Sequence, residues 1–99
     1  MWKSYSDASK EIERKENNPK TCYEWAHYLE KQTQANYFNG FDFSVDCYES
    51  GNEIHVEFTF SFVQDYMSYQ DCVNKLWNKL VSYAGRCPYR IVLTKKNFY

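Results

Sequence analysis

Residues 41–63 restrict the fold more than any other stretch, because their apolar side chains recur with a period of two. The first run reads Phe41-Asp42-Phe43-Ser44-Val45-Asp46-Cys47-Tyr48, apolar on odd positions. Glu49, Ser50, Gly51 and Asn52 follow with the composition of a turn. The second run, Glu53-Ile54-His55-Val56-Glu57-Phe58-Thr59-Phe60-Ser61-Phe62, is apolar on even positions. Successive side chains of a strand point to opposite faces, so this alternation describes two half-buried strands joined as a hairpin.

Pairing Tyr48 with Glu53 across a four-residue loop sets Cys47 opposite Ile54, Val45 opposite Val56, Phe43 opposite Phe58 and Phe41 opposite Phe60. A slip of one residue would carry carboxylates onto the buried face, so the choice of face is strongly specified. This register also sets Asp46 opposite His55. The outward face carries Asp42, Ser44, Asp46, Tyr48, Glu53, His55, Glu57, Thr59 and Ser61. It reads as a solvated sheet face or, more sharply, as an acidic patch for a basic partner, since Asp42, Asp46, Glu53 and Glu57 share one side.

Helical periodicity flanks the hairpin. Tyr5, Ala8 and Ile12 predict a short polar helix over Ser4–Glu16, ended by Asn17-Asn18-Pro19. Thr21 and Glu24 form a capping-box pattern for a second helix. Its Cys22, Trp25, Ala26 and Leu29 are expected to face the sheet, and Tyr23, His27, Glu30 and Lys31 to face away. Ser68 caps a third helix, whose stripe runs through Tyr69, Cys72, Val73, Leu76, Leu80, Tyr83 and Ala84 and ends at Gly85 as the C′ residue. Tyr89 to Thr94 predicts a last strand, with residues 95–99 as a tail.

The order α-α-β-β-α-β over 99 residues predicts one α+β domain. Residues 1–20 are its polar helix and linker. The expected sheet has three mainly antiparallel strands in the order 2-1-3, with helices on one face and the acidic face outward.

Composition excludes several classes of function. The net charge of −1 provides no global field for nucleic acid or anionic membrane. No apolar run approaches the ~20 residues that span a bilayer. The N-terminus lacks the apolar core of a secretory signal, and the chain reads as cytoplasmic. Cys22, Cys47, Cys72 and Cys87 never form a C-x-x-C pair and read as buried free thiols; a four-thiolate zinc site and disulfides are the alternatives. Only three glycines and two histidines are present, and no phosphate-loop, dinucleotide, zinc-protease or nucleophile-elbow motif occurs. His55 with Asp46 and Glu57 is the constellation suited to acid-base work, set against a cross-strand charge pair on a solvated face. The sequence calls for no cofactor and no metal.

Aromatic residues make up 20% of the chain, more than a core of this size takes up, so rings are expected at the surface, where Tyr and Trp favour interfaces. Tyr37, Phe38, Tyr66, Phe98 and Tyr99 are the expected surface rings, beside Tyr48 on the sheet. Together these features predict a non-enzymatic protein-binding module. Tyr37, Phe38 and Tyr48 would anchor a partner, and Asp42, Asp46, Glu53 and Glu57 would meet its Lys or Arg side chains. Few Ala, Gly and Pro beside many Lys, Asn, Tyr and Phe point to an AT-rich coding sequence, as in low-GC microbes and their phages. A small phage inhibitor of a host nucleic-acid-binding defence complex, anti-CRISPR-like, is one concrete form. The alternative is nucleic-acid binding through a basic strip of Arg86, Arg90, Lys95 and Lys96. A homodimer is a further outcome for exposed rings and an open sheet edge.

Overall fold

The computed structural model describes residues 19–98. The expected helix over Ser4–Glu16 and the ring of Tyr99 lie outside the described residues. The order within them is α1 (Cys22–Gln34), β1 (Phe41–Ser50), β2 (Glu53–Val63), α2 (Tyr69–Tyr83) and β3 (Arg90–Phe98). The fold is α+β, with both helices contributing to one buried cluster against the inner face of a three-stranded sheet.

Each helix starts where its cap dictates. Thr21 is extended and its Oγ1 accepts from the Glu24 amide at 3.1 Å. The Glu24 carboxylate reaches back to the Lys20 amide at 3.3 Å, one residue before the cap. Ser68 accepts from the Asp71 amide in the same way, also at 3.1 Å. Such side-chain acceptors satisfy amides that have no partner inside the helix. The expected C′ glycine is different: α2 closes on Ala84, and Gly85 does not adopt a positive φ.

The hairpin forms on the expected faces but in a register shifted by two residues. Ser50 pairs with Glu53, Tyr48 with His55, Asp46 with Glu57, Cys47 with Val56 and Val45 with Phe58. The loop is therefore Gly51-Asn52 alone, with φ of 56° and 62°. Two successive left-handed residues make a type I′ turn, whose twist matches that of the paired strands. A shift of two keeps every side chain on its face, so the alternation cannot detect it. Asp46 consequently faces Glu57 rather than His55.

The strand order is β1-β2-β3, not the expected 2-1-3, and the sheet is mixed rather than mainly antiparallel. β3 runs parallel to β2, from Glu53 opposite Arg90 to Phe60 opposite Phe98. Two features account for this. The 15 residues of α2 span about 22 Å, and with the connections over 64–68 and 84–89 they return the chain to the start of β2. The far edge of β1 is already occupied by side chains of α1. Glu30 Oε1 accepts from the Cys47 amide at 2.8 Å, and Gln34 Oε1 from the Val45 amide at 2.8 Å. Gln34 Nε2 donates to the Phe43 carbonyl at 3.3 Å. Glu30 was expected to face away from the sheet; it lies at the flank of α1 and reaches the strand edge.

Bulges interrupt both ladders. Ser61 is the extra residue between the Phe43–Phe60 and Asp42–Phe62 pairs, and Thr94 between Val56–Leu93 and Glu57–Lys95. The second carries β3 on through residues expected to be a tail, and Phe98 stacks on Phe60 with ring centroids 5.0 Å apart. Leu29, Ile54, Val56, Phe58, Phe60, Cys72, Leu76 and Leu80 are fully enclosed. Trp77 closes edge-on against Phe58.

Candidate functional site: the uncovered face of the sheet

Cross-strand partners share a face, so the registers assemble the outer surface row by row. Ser50, Glu53 and Arg90 form one row, and Tyr48, His55 and Val92 the next. Asp46, Glu57 and Lys95 follow, then Ser44, Thr59 and Asn97. The Ser61 bulge turns Phe62 out beside Asp42, so a ring expected inside is 48% exposed. The four expected acidic residues do share this face, but β3 brings Arg90 and Lys95 onto it as well. Charge passes from acidic along β1 to basic along β3.

The middle of the face is a connected polar network. The Arg90 guanidinium and the His55 Nε2 each stand 3.6 Å from a Glu53 carboxylate oxygen. His55 Nδ1 lies 2.9 Å from Thr94 Oγ1, and the ring stacks on Tyr48 with centroids 5.5 Å apart. The expected grouping of His55 with Asp46 and Glu57 does not form, because the two-residue shift replaces Asp46 by Tyr48 opposite the imidazole. Desolvation, then the hydrogen bond to Glu57 and its charge, pushes the Tyr48 phenol above its ordinary pKa.

The expected surface rings divide. Tyr37 is 83% exposed and Tyr66 73%. The Tyr66 hydroxyl lies beside Gly40, which places that ring near the Asp42 end of the face. Phe38 instead stacks on Phe41 at 5.0 Å and meets Phe43 edge-on. Phe98 is held between Phe60 and Tyr69. Both are half-buried and pack against the core cluster. Tyr69, expected in the buried stripe of its helix, is exposed and covers Phe98.

The basic strip is also divided. Arg90 and Lys95 lie on the outer face beside Glu53 and Glu57, Lys96 registers with inward-facing Phe58, and Arg86 sits in the α2–β3 loop. Arg86 lines an open groove of about 720 Å³ with Lys20, Trp25, Tyr28 and Tyr83.

All four thiols are free, with Cys22 and Cys72 buried and Cys47 and Cys87 half-buried. Burial, then the charges of Glu30 and Asp46, pushes Cys47 up to about 12, which keeps it a thiol rather than a nucleophilic thiolate. No group of three or more His, Cys, Asp or Glu side chains among the described residues could hold a metal ion. No helix among them is long and apolar enough to cross a membrane. Compared with protein-family models, curated proteins and solved structures, the chain matches none.

Sequence reasoning missed Glu30, Gln34 and Phe62. The first two stand four residues apart on α1, a spacing that places two acceptors on one helix flank. Phe62 is displaced by a bulge that leaves no mark in the composition.

Proposed function

We propose that the chain is a non-enzymatic protein-binding module that engages a partner through the outer face of its sheet. The observation that carries this reading is that exposed Asp42 and Asp46 on the β1 side share the outer face of the sheet with the exposed rings of Tyr48 and Phe62. Carboxylates beside exposed rings suit a partner surface of Lys or Arg, where the rings supply contact area and the charges set orientation. A basic, nucleic-acid-binding target of the defence type is the narrower form of the same reading.

The alternative, nucleic-acid binding through the basic strip, draws less support. Glu53 and Glu57 stand next to Arg90 and Lys95, where they would oppose a phosphate backbone.

The test is capture of partners by the tagged chain, with and without nuclease, repeated with Asp42→Lys combined with Asp46→Lys. One stoichiometric protein should survive nuclease and bind the variant about tenfold or more weakly. Equal capture by the variant overturns the acidic-face reading. Recovery that vanishes with nuclease moves the function to nucleic acid.

A further inference from the structure

We propose that the free edge of β3 takes up an acidic, extended segment of a partner protein as a fourth strand. This inference does not rest on the outer-face reading, since its contacts are backbone groups and cations along β3, at the edge of the sheet away from Asp42 and Asp46.

β3 is nine residues long and, among the described residues, has a strand neighbour on one side only. Along its other side, no side chain among the described residues plays the part that Glu30 and Gln34 play along β1. Among the described residues, the one side-chain hydrogen bond to its backbone is local, from Thr94 Oγ1 to the Val92 carbonyl at 3.4 Å. An edge strand in this state presents a row of amides and carbonyls that template another strand. Ile91, Val92 and Leu93 are each half-buried, with Val92 on one face and Ile91 and Leu93 on the other. An added strand would cover apolar area on both faces.

The charge of the edge selects the occupant. The strand Arg90-Ile91-Val92-Leu93-Thr94-Lys95-Lys96-Asn97-Phe98 contains three cations and no carboxylate; Arg90 is held by Glu53 at 3.6 Å and Lys95 lies across from Glu57 on the neighbouring strand, which leaves Lys96 without a carboxylate across from it. Lys95 lies on the outer face and Lys96 registers with inward-facing Phe58, so positive charge flanks the edge on both sides. Edge lysines and the Thr94 bulge are devices that repel apolar strands and discourage aggregation. A second copy of β3 would add three more cations and no carboxylate to the same strand pair, whereas an acidic segment supplies the opposite charge. A segment carrying glutamate or aspartate at alternate positions presents them on one face, where Lys95 on the outer side turns from guard into partner, while its apolar positions meet Ile91 and Leu93 on the inner side.

The probe is a blocked nine-residue peptide alternating glutamate with valine, titrated into the isotopically labelled full chain and followed by amide shifts and hydrogen exchange. Its lysine-for-glutamate counterpart and a version with a central proline serve as controls. The glutamate peptide should shift and protect amides within residues 90–98, weaken as salt rises, and lose about tenfold in affinity with Lys95→Glu combined with Lys96→Glu. Lys95→Glu alone should show a smaller loss in the same direction, which covers the case in which the double variant fails to fold. Asp42→Lys with Asp46→Lys should leave peptide binding unchanged, which separates this site from the acidic face. Several results overturn the proposal: no binding of the glutamate peptide, equal binding of the lysine peptide, or shifts confined to β1. Self-association that protects β3 amides without peptide also overturns it, because the occupant is then a second copy.

Discussion

Along β1, the backbone groups that point away from the sheet are taken up by Glu30 and Gln34 of α1, whereas along β3 no side chain among the described residues does the same. Both strands are about equally long, at ten and nine residues. They differ in what lies beside them. An edge closed by a helix flank has its backbone groups satisfied within the fold, and those groups count toward stability. An edge guarded only by lysines and a bulge stays available, and its residues count toward recognition. The two edges should therefore answer mutation in opposite ways.

The largest effect is expected from Glu30→Ala combined with Gln34→Ala. Removing both acceptors leaves the Val45 and Cys47 amides unsatisfied at part-buried positions, at a combined cost of about 2–4 kcal/mol. Denaturant unfolding measures the loss, and amide exchange at Val45 and Cys47 should rise well above that of the remaining hairpin. Unchanged stability and protection would break the comparison, because β1 would then be no better closed than β3.

Gly40→Ala should be next. Gly40 opens the sealed strand with φ +110°, and a Cβ there would collide with the Met67 side chain and the Tyr66 hydroxyl. Backbone strain and displaced side chains together are expected to cost about 1–3 kcal/mol, lowering the melting temperature.

A pH titration sharpens the comparison at Cys47. The folded chain keeps this proton up to about 12, against an ordinary value of 9.0. The native state therefore binds more protons than the unfolded state between those values. The associated stability is fully present below pH 9.0 and is lost as pH rises toward about 12. Glu30→Gln, which keeps an acceptor but removes the charge, should move the native thiol pKa down. Cys47→Ala should remove this contribution to the alkaline loss, and alkaline unfolding of the two variants beside the parent checks both expectations.

The smallest effect belongs to the open edge. Lys95→Ala with Lys96→Ala should change stability by no more than about 0.5 kcal/mol, since both side chains are exposed. A loss comparable to that of the Glu30 and Gln34 variant would show that β3 is as firmly built in as β1.

Much of this architecture could be read along the chain, and the parts that could not share a cause. The alternation of Phe41, Phe43, Val45 and Cys47 against Ile54, Val56, Phe58 and Phe60 assigns each residue to a face, and the structure keeps that assignment for these eight. The same alternation is blind to a shift of two, which is how Tyr48 came to replace Asp46 opposite His55. Gly51 and Asn52 both tolerate positive φ and carried the information that the loop was short. Phe38 and Phe98 looked like surface rings because they stand in a loop and near the chain end. Their burial depends on Phe41, Phe43, Phe60 and Tyr69, which only the folded chain brings beside them.

The sequence by itself determined the hairpin and its two faces, the starts of both helices at Thr21 and Ser68, and the gathering of Asp42, Asp46, Glu53 and Glu57 on one side. These are local properties, set by side-chain period and by caps acting within a few residues. Which edge of the hairpin β3 joins, and hence the placement of its cations beside Glu53 and Glu57, follows from packing between distant parts of the chain. That choice turns on contacts between residues 11 and 17 apart, Gln34 with Val45 and Glu30 with Cys47. The two sides of a hairpin offer similar rows of backbone groups, and only the helix packed against one of them makes them different.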